Sequence, residues 1–294
     1  MPSQSTIKNG IDLHTHCSPS IFPRKLTVWE MVQEAKENQL GGIVLKSHES
    51  STSEQAAVIN MAQSKVPVYG GIVLNEFVGG LNPASVDVSL KMGGKFVWMP
   101  TISSKQHIEH FSGKEGRLFQ GIDDLFHSNK GISLLNQSGK LKSEVYEILH
   151  LIKKYDAVLC SGHISVNELK VLAEAAFQEG IEKFLITHPD MEIAPVPIDY
   201  QKELTKRGAL LEKCYLAASS DFNNSSIIQL KESIDEIGHQ HCVLVTDYGQ
   251  SFNITPIQAM KKYIDTLIEM GLTNEQIHTM YVDNAHYLIK GKAN

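Results

Sequence analysis

The sequence predicts an α/β protein built as a (β/α)8 TIM barrel, with an elaborated loop and hairpin inserted between its fourth and fifth strands. Three observations predict it. Short runs rich in Val, Ile and Leu recur at eight places, a composition that suits strands buried on both faces of a parallel sheet. Helical patterns with start and stop signals separate most of these runs, which makes parallel βαβ units. The length of 294 residues suits a barrel, whose usual size is about 250 residues. An open doubly wound sheet is the alternative, but no G-x-G-x-x-G turn follows the first strand to support a dinucleotide fold.

In chain order the predicted strands are IDLHTH (11–16), GIVLKSH (42–48), YGGIVLN (69–75), KFVWMPT (95–101), AVLCSGH (157–163), KFLITHP (183–189), ALLEKCYL (209–216) and CVLVTDYG (242–249). Thr27 with Glu30 predicts a capping box ahead of VWEMVQEAKENQL, which Gly41–Gly42 stops. Thr52 with Gln55, Ser165 with Glu168, and Thr273 with Gln276 repeat the signature. Gly180, Gly208 and Gly238 fall just before later strands, where helices should end. The gap from Thr101 to Ala157 is too long for one helix. In it, Asn136-Gln-Ser-Gly139 predicts a turn between ISLLN and KLKSE, followed by the helix SEVYEILHLIKKY. We expect one domain over 1–294, with an insertion at about 102–156 that is either a lid over the barrel mouth or a plain surface loop. Trp29 and Trp98 are expected in the core.

Bulk properties narrow the function. Hydrophobic content of 42% and charged content of 20% describe a globular chain with ample core. A net charge of −6 argues against nucleic acid as a partner. No apolar run approaches the ~20 residues of a membrane span. The opening MPSQSTIKNG lacks a signal-peptide core, and Cys17, Cys160, Cys214 and Cys242 form no CxxC pair. A cytoplasmic protein acting on a small molecule is expected, as a homo-oligomer on the general habit of barrel enzymes.

The candidate site comes from strand ends. Residues two apart in a strand share a face, so Asp12, His14 and His16 point one way. His163, His188 and Asp247 lie at or near the ends of the fifth, sixth and eighth strands. Parallel barrel strands bring all these ends to one rim, where barrel enzymes place their chemistry. Four imidazoles and a carboxylate gathered there make a site for a divalent metal, zinc first, with manganese, iron or nickel as alternatives. Any one of these residues is commonplace; their joint order along the strands is not.

This pattern resembles the amidohydrolase superfamily of metal-dependent hydrolases, from Asp12 to the closing MYVDNAHYLI (280–289). The blocks LKSHES, GGIVLNEFVGGLNP, VWMPT, SGHIS, ITHPD and TDYGQ resemble its domain-of-unknown-function family 6282. The resemblance implies His14, His16, His163 and Asp247 as metal ligands, with His188 a further ligand or the group that positions water or substrate. It also implies Asp247 as the catalytic base. Binuclear members carry a carboxylated Lys or a Glu at the end of strand four; here KFVWMPT offers only Thr101, which favours one ion over two. Glu212 or Lys46 is the available route to a second ion. Lys46 and His48 share a face at the mouth, Lys46 as a catalytic or anchoring cation and His48 as a substrate or acid/base group. Asn75 and Arg24 complete the candidate substrate-binding set. Asp12 is expected to act as an acceptor behind the histidines, and Glu212 to need a partner such as Lys46 or a metal. His107, His110, His127, His239 and His241 receive no role.

The expected activity is therefore water activation on a divalent metal to cleave a C–N or C–O bond in a small amide, cyclic amide or lactone, anionic ones included. The alternatives are a non-hydrolytic decarboxylase or hydratase of the same superfamily, and a non-catalytic metal- or ligand-binding barrel.

Overall fold

Short apolar runs set the architecture. The computed structural model describes residues 7–62, 65–112, 131–219 and 225–291. Its strands are β1 (Ile11–Thr15), β2 (Gly42–Leu45), β3 (Val68–Tyr69), β4 (Gly71–Val73), β5 (Phe96–Trp98), β6 (Val158–Cys160), β7 (Phe184–Ile186), β8 (Leu210–Cys214) and β9 (Cys242–Val245). The regular ladders are all parallel and form two sheets, β1-β2-β3 and β4 through β9 in order. Backbone bonds from His16 N–H to the Tyr248 carbonyl and from Asp247 N–H to the His14 carbonyl, both 2.9 Å, join β9 back to β1. The result is the expected (β/α)8 barrel, whose buried core on the two faces of the wall includes Leu13, Val44, Trp98, Leu211 and Val245.

The predicted third strand is split into β3 and β4 at Gly70. A side chain there would clash with the Thr52 carbonyl. Thr52 also departs from expectation, because its hydroxyl does not cap the following helix. It donates instead to the Leu45 carbonyl at 2.7 Å and accepts the Gly71 N–H at 3.0 Å, pinning the break between the two sheets.

The other capping boxes form at Thr27, Ser165 and Thr273. The first helix, α1 (Val28–Glu37), stops before Gly41, with Gln39 taking the left-handed turn at φ 55°. Trp29 on α1 is 56% exposed, so it is not core, whereas Trp98 is fully buried. The expected hairpin is reduced to a single antiparallel bridge between Leu135 and Leu141, and the helix after it spans Ser143–Lys154. Part of the predicted lid, 113–130, lies outside the described residues.

The strands end earlier than their sequence runs. Residues 46–48, 99–101, 161–163, 187–189 and 246–249 leave the ladders and turn over the C-terminal mouth. Glycine permits two of these turns. Gly162 has φ 66° with its Cα against the Met99 carbonyl, and Gly249 has φ 141° against the His16 carbonyl. The first places His163 and the second lets β9 close on β1. Among the described residues no helix is long and apolar enough to cross a membrane.

Candidate metal centre

β1 delivers the first two histidines. A register irregularity lies between Asp12 and Thr15, and all five residues of the strand are buried. Asp12 does not reach the cavity. It accepts the His14 N–H at 3.1 Å and the Thr246 N–H at 3.2 Å, and takes the Thr246 hydroxyl as well. It thereby clamps β1 to β9 beneath the site, and burial pushes its carboxyl up to about 7.

Three imidazoles converge on Asp247. His16 Nε2 lies 2.9 Å and His14 Nε2 3.1 Å from Oδ1, and His188 Nε2 lies 3.4 Å from Oδ2. Behind them, His16 Nδ1 donates to the Lys46 carbonyl at 2.8 Å, while His14 Nδ1 faces Glu212 at 3.3 Å. Donor atoms of His14, His16 and Asp247 lie within 4.8 Å of one another, as do those of His14, His188 and Glu212, and of His188, Cys214 and Asp247. His163 belongs to none of these three groups. Its ring centroid is 5.2 Å from that of His188, its Nδ1 is 3.0 Å from His107 Nδ1, and its Nε2 is buried with no hydrogen-bond partner.

The backbone is strained where the chemistry sits. His188 has φ 52° and Asp247 has φ 56°, left-handed conformations that cost non-glycine residues of order 1–3 kcal/mol. Charge is equally concentrated. Burial raises the carboxyls of Asp247 and Glu212, but the charged neighbours around each, His14 foremost, together outweigh it and hold both below their ordinary values. Burial also depresses the imidazoles: His16 falls to about 3, helped by Arg24, His188 to about 4, and His163 and His48 well below the ordinary value. His14 is the exception, since Asp247 and Glu212 overcome its burial and raise it to about 9. Apart from His14, the cluster thus holds ionised carboxylates among neutral imidazoles, the protonation states that bind a divalent cation.

Lys46 and His48 leave β2 on the same side. Lys46 Nζ is 2.7 Å from His14 Nε2, and burial lowers its ammonium below the ordinary value. His48 stacks on His16 at 4.9 Å and its Nδ1 meets the Thr101 hydroxyl at 3.0 Å. Arg24 is half-buried at the mouth, its Nε donating to Ser20 Oγ at 3.2 Å and its guanidinium over the Phe22 ring. A cavity of about 300 Å³ opens above the cluster, walled by Phe22, Ile102, Met191, Leu216 and Phe252, and both Arg24 and His48 line it. Asn75 is not brought to this cavity. Its amide is spent behind the wall on Thr101, the Ser103 N–H and the His48 carbonyl, so it fixes the rim instead.

Two residues escaped the sequence reading. Glu212 was legible as a buried carboxylate in need of a partner and as a route to a second ion, without its partners; these are His14 and His188, not Lys46. His107, on a helix at Lys105–Phe111, is buried against His163. It lies within the long insertion, where no strand period could aim it.

Solved structures share this architecture over nearly the whole chain. A putative 2-pyrone-4,6-dicarboxylic acid hydrolase from Pseudomonas putida is 11% identical with a TM-score of 0.62, over 97% of this chain and 99% of that one. A 2,6-dihydroxybenzoate decarboxylase from Rhizobium is 11% identical with a TM-score of 0.56, over 96% and 99%. An amidohydrolase from Burkholderia multivorans, solved with bound zinc, is 9% identical with a TM-score of 0.56, over 95% and 98%. At such identities the likeness is one of fold, the fold of amidohydrolase-family proteins. No curated protein matches the chain in sequence. The family model for a family of unknown function, DUF6282, matches residues 9–212, from the approach to β1 through Glu212. Since that match takes in His14, His16 and the ends of the strands through β7, the chain belongs to the DUF6282 family.

Proposed function

We propose that the chain is a metal-dependent hydrolase that cleaves a C–N or C–O bond in a small anionic amide, cyclic amide or lactone. The observation that carries this reading is the convergence of the Nε2 atoms of His14, His16 and His188 on one ionised carboxylate, Asp247. The donor set fits a divalent ion, zinc first and one per chain, with manganese, iron or nickel as alternatives. His163 Nε2, buried and otherwise without a partner, supports the fit and adds a fourth imidazole. Lys46 is the cation already beside His14, and its flexible stem allows its ammonium to yield that place.

A divalent ion held by these residues would lower the pKa of a water from about 15.7 towards 7 and polarise a carbonyl. The residues of the chain do the remaining work. Asp247 takes the proton from the attacking water and returns it to the leaving nitrogen or oxygen. The Lys46 ammonium, once moved from His14, steadies the developing oxyanion, with His188 turned to the same space. Arg24 pairs with the anionic group of the substrate at the mouth, where its charge is half-buried. His48, stacked on His16 and lining the cavity with Arg24, contacts the substrate. The apolar wall excludes bulk water and strengthens each of these interactions.

The test is metal analysis of purified protein, with turnover of a panel of amides, lactones and esters before and after chelation. Near-unit zinc content and activity restored by added zinc are expected; an active metal-free protein sinks the reading. The fold shared with the Rhizobium decarboxylase favours a second reading on the same residues, loss of a carboxylate held by Arg24. Release of CO₂ from an aromatic acid, with no turnover of amides or lactones, would establish it. Zinc binding with no turnover of any panel member would leave a binding barrel.

A further inference from the structure

Glu212 is fully buried and outside the convergence on Asp247, so a carboxylate in that place needs an explanation. A buried carboxylate is costly unless its oxygens find partners. Its two oxygens face the backs of two histidines. His14 Nδ1 lies 3.3 Å from Oε1 and 3.4 Å from Oε2, while His188 Nδ1 lies 3.6 Å from Oε2. Oε2 also accepts the backbone N–H of His188 at 3.3 Å, which holds that residue in its left-handed conformation. His188 Nδ1 and Glu212 Oε1 are both buried without a hydrogen-bond partner, a nitrogen able to donate and an oxygen able to accept.

We propose that Glu212 is a positioning residue that fixes the tautomers of His14 and His188, so that both carry hydrogen on Nδ1 and present Nε2 to the metal. An ionised carboxylate has no hydrogen to give, so a neutral imidazole facing it through Nδ1 is favoured as the Nδ1–H form. The lone pair is then on Nε2, the atom each ring turns toward Asp247. One carboxylate therefore orients two rings from two strand ends, β1 and β7, that lie far apart in sequence. The 3.6 Å gap to His188 is wider than a hydrogen bond, and ligand-site bonds of this kind tighten when the site is filled. This places Glu212 behind the ion as the support of its ligands, and it leaves a single ion in the site. The inference rests on the metal reading above.

The experiment uses the full chain and zinc alone. Glu212→Gln keeps the shape but offers one acceptor oxygen and an NH₂ group to two N–H donors. Zinc affinity measured by competition with a chromophoric chelator is expected to fall about 10- to 100-fold, with zinc per chain unchanged. Equal affinity in the two proteins would overturn the proposal while leaving the metal site intact. Loss of one of two bound ions would also overturn it, since Glu212 would then be a ligand. If Glu212→Gln fails to fold, the wild type still decides. Two-bond ¹⁵N–¹H spectra of the zinc-loaded protein should show the Nδ1–H tautomer at His14 and His188, and the Nε2–H tautomer at either overturns the assignment. A wild type that binds no zinc removes this inference together with the reading beneath it.

Discussion

Glu212 and Lys213 are neighbours on β8, and the alternation of the strand sends their opposite charges into two separate buried clusters. Outside the barrel wall, Lys213 Nζ donates to Asp190 Oδ2 at 2.8 Å, Ser233 Oγ at 2.7 Å and Gln201 Oε1 at 3.3 Å. Ser233 and Gln201 in turn donate to Asp190 Oδ1 at 3.0 and 3.2 Å. Three ammonium hydrogens meet three acceptors, and neither carboxylate oxygen is left over. Inside the barrel the ledger is open: His163 Nε2, His188 Nδ1 and Glu212 Oε1 are buried without hydrogen-bond partners, and two residues sit in left-handed strain. Proteins rarely leave buried polar atoms unpaired, so the closed cluster reads as a brace and the open one as a receptacle.

The largest effect expected to separate the two clusters is metal removal. Chelation should abolish turnover and leave the outer brace untouched, so far-ultraviolet circular dichroism should keep its native form. A protein that unfolds on chelation would make the inner cluster a structural site as well. Next comes Asp247→Asn, which keeps the side-chain shape and removes the base. Turnover should fall by about 10²–10⁴-fold, with zinc still bound and resistance to urea not reduced. A variant that keeps more than a tenth of wild-type turnover would take the proton-transfer role away from Asp247.

The outer cluster should respond in the opposite way. Lys213→Ala leaves Asp190 as an uncompensated, largely buried charge, and breaking such a pair costs about 3–5 kcal/mol. The urea midpoint should drop accordingly, while the zinc bound per folded chain stays the same. Because Asp190 follows His188 by two residues, lost zinc binding at full stability would show that the brace serves the site directly.

The contrast also explains what the sequence could disclose. Strand ends were legible because a buried apolar run that closes on His or Asp is odd in itself, and parallel topology then sends every such end to one rim. His14, His16, His163, His188 and Asp247 are all of this kind. Periodicity reports the face a residue occupies and is silent about its partner. Glu212 therefore appeared as a cost or a route to a second ion and without its partner, since His14 lies 198 residues away. Thr52 carried a helix-cap signature but was recruited by the break at Gly70, a tertiary contact that outweighs a local cap. Asn75, at a strand end like the candidate ligands, turned its amide into the wall because Thr101 and Ser103 were there to bond it.

His107 gives the smallest expected effect and the finest division between brace and receptacle. Its Nδ1 lies 3.0 Å from His163 Nδ1, and the two rings stack at 5.1 Å with 14° between their planes. Burial pulls His107 down to about 3 and His163 well below its ordinary value, so both rings are neutral. Between two neutral imidazoles one nitrogen must donate and the other accept. If His163 donates, its Nε2 holds a lone pair facing the cluster; if His107 donates, that Nε2 carries hydrogen and cannot ligate. A metal selects the first arrangement, and His107 supplies the acceptor that stabilises it. His107→Phe keeps the stacked ring and deletes the acceptor. Zinc affinity should fall about tenfold, the low end for a group that orients a ligand, with thermal stability unchanged. A fall in stability with zinc affinity intact would move His107 to the packing of the wall, and His163 would then hold its orientation without help from the helix at Lys105–Phe111.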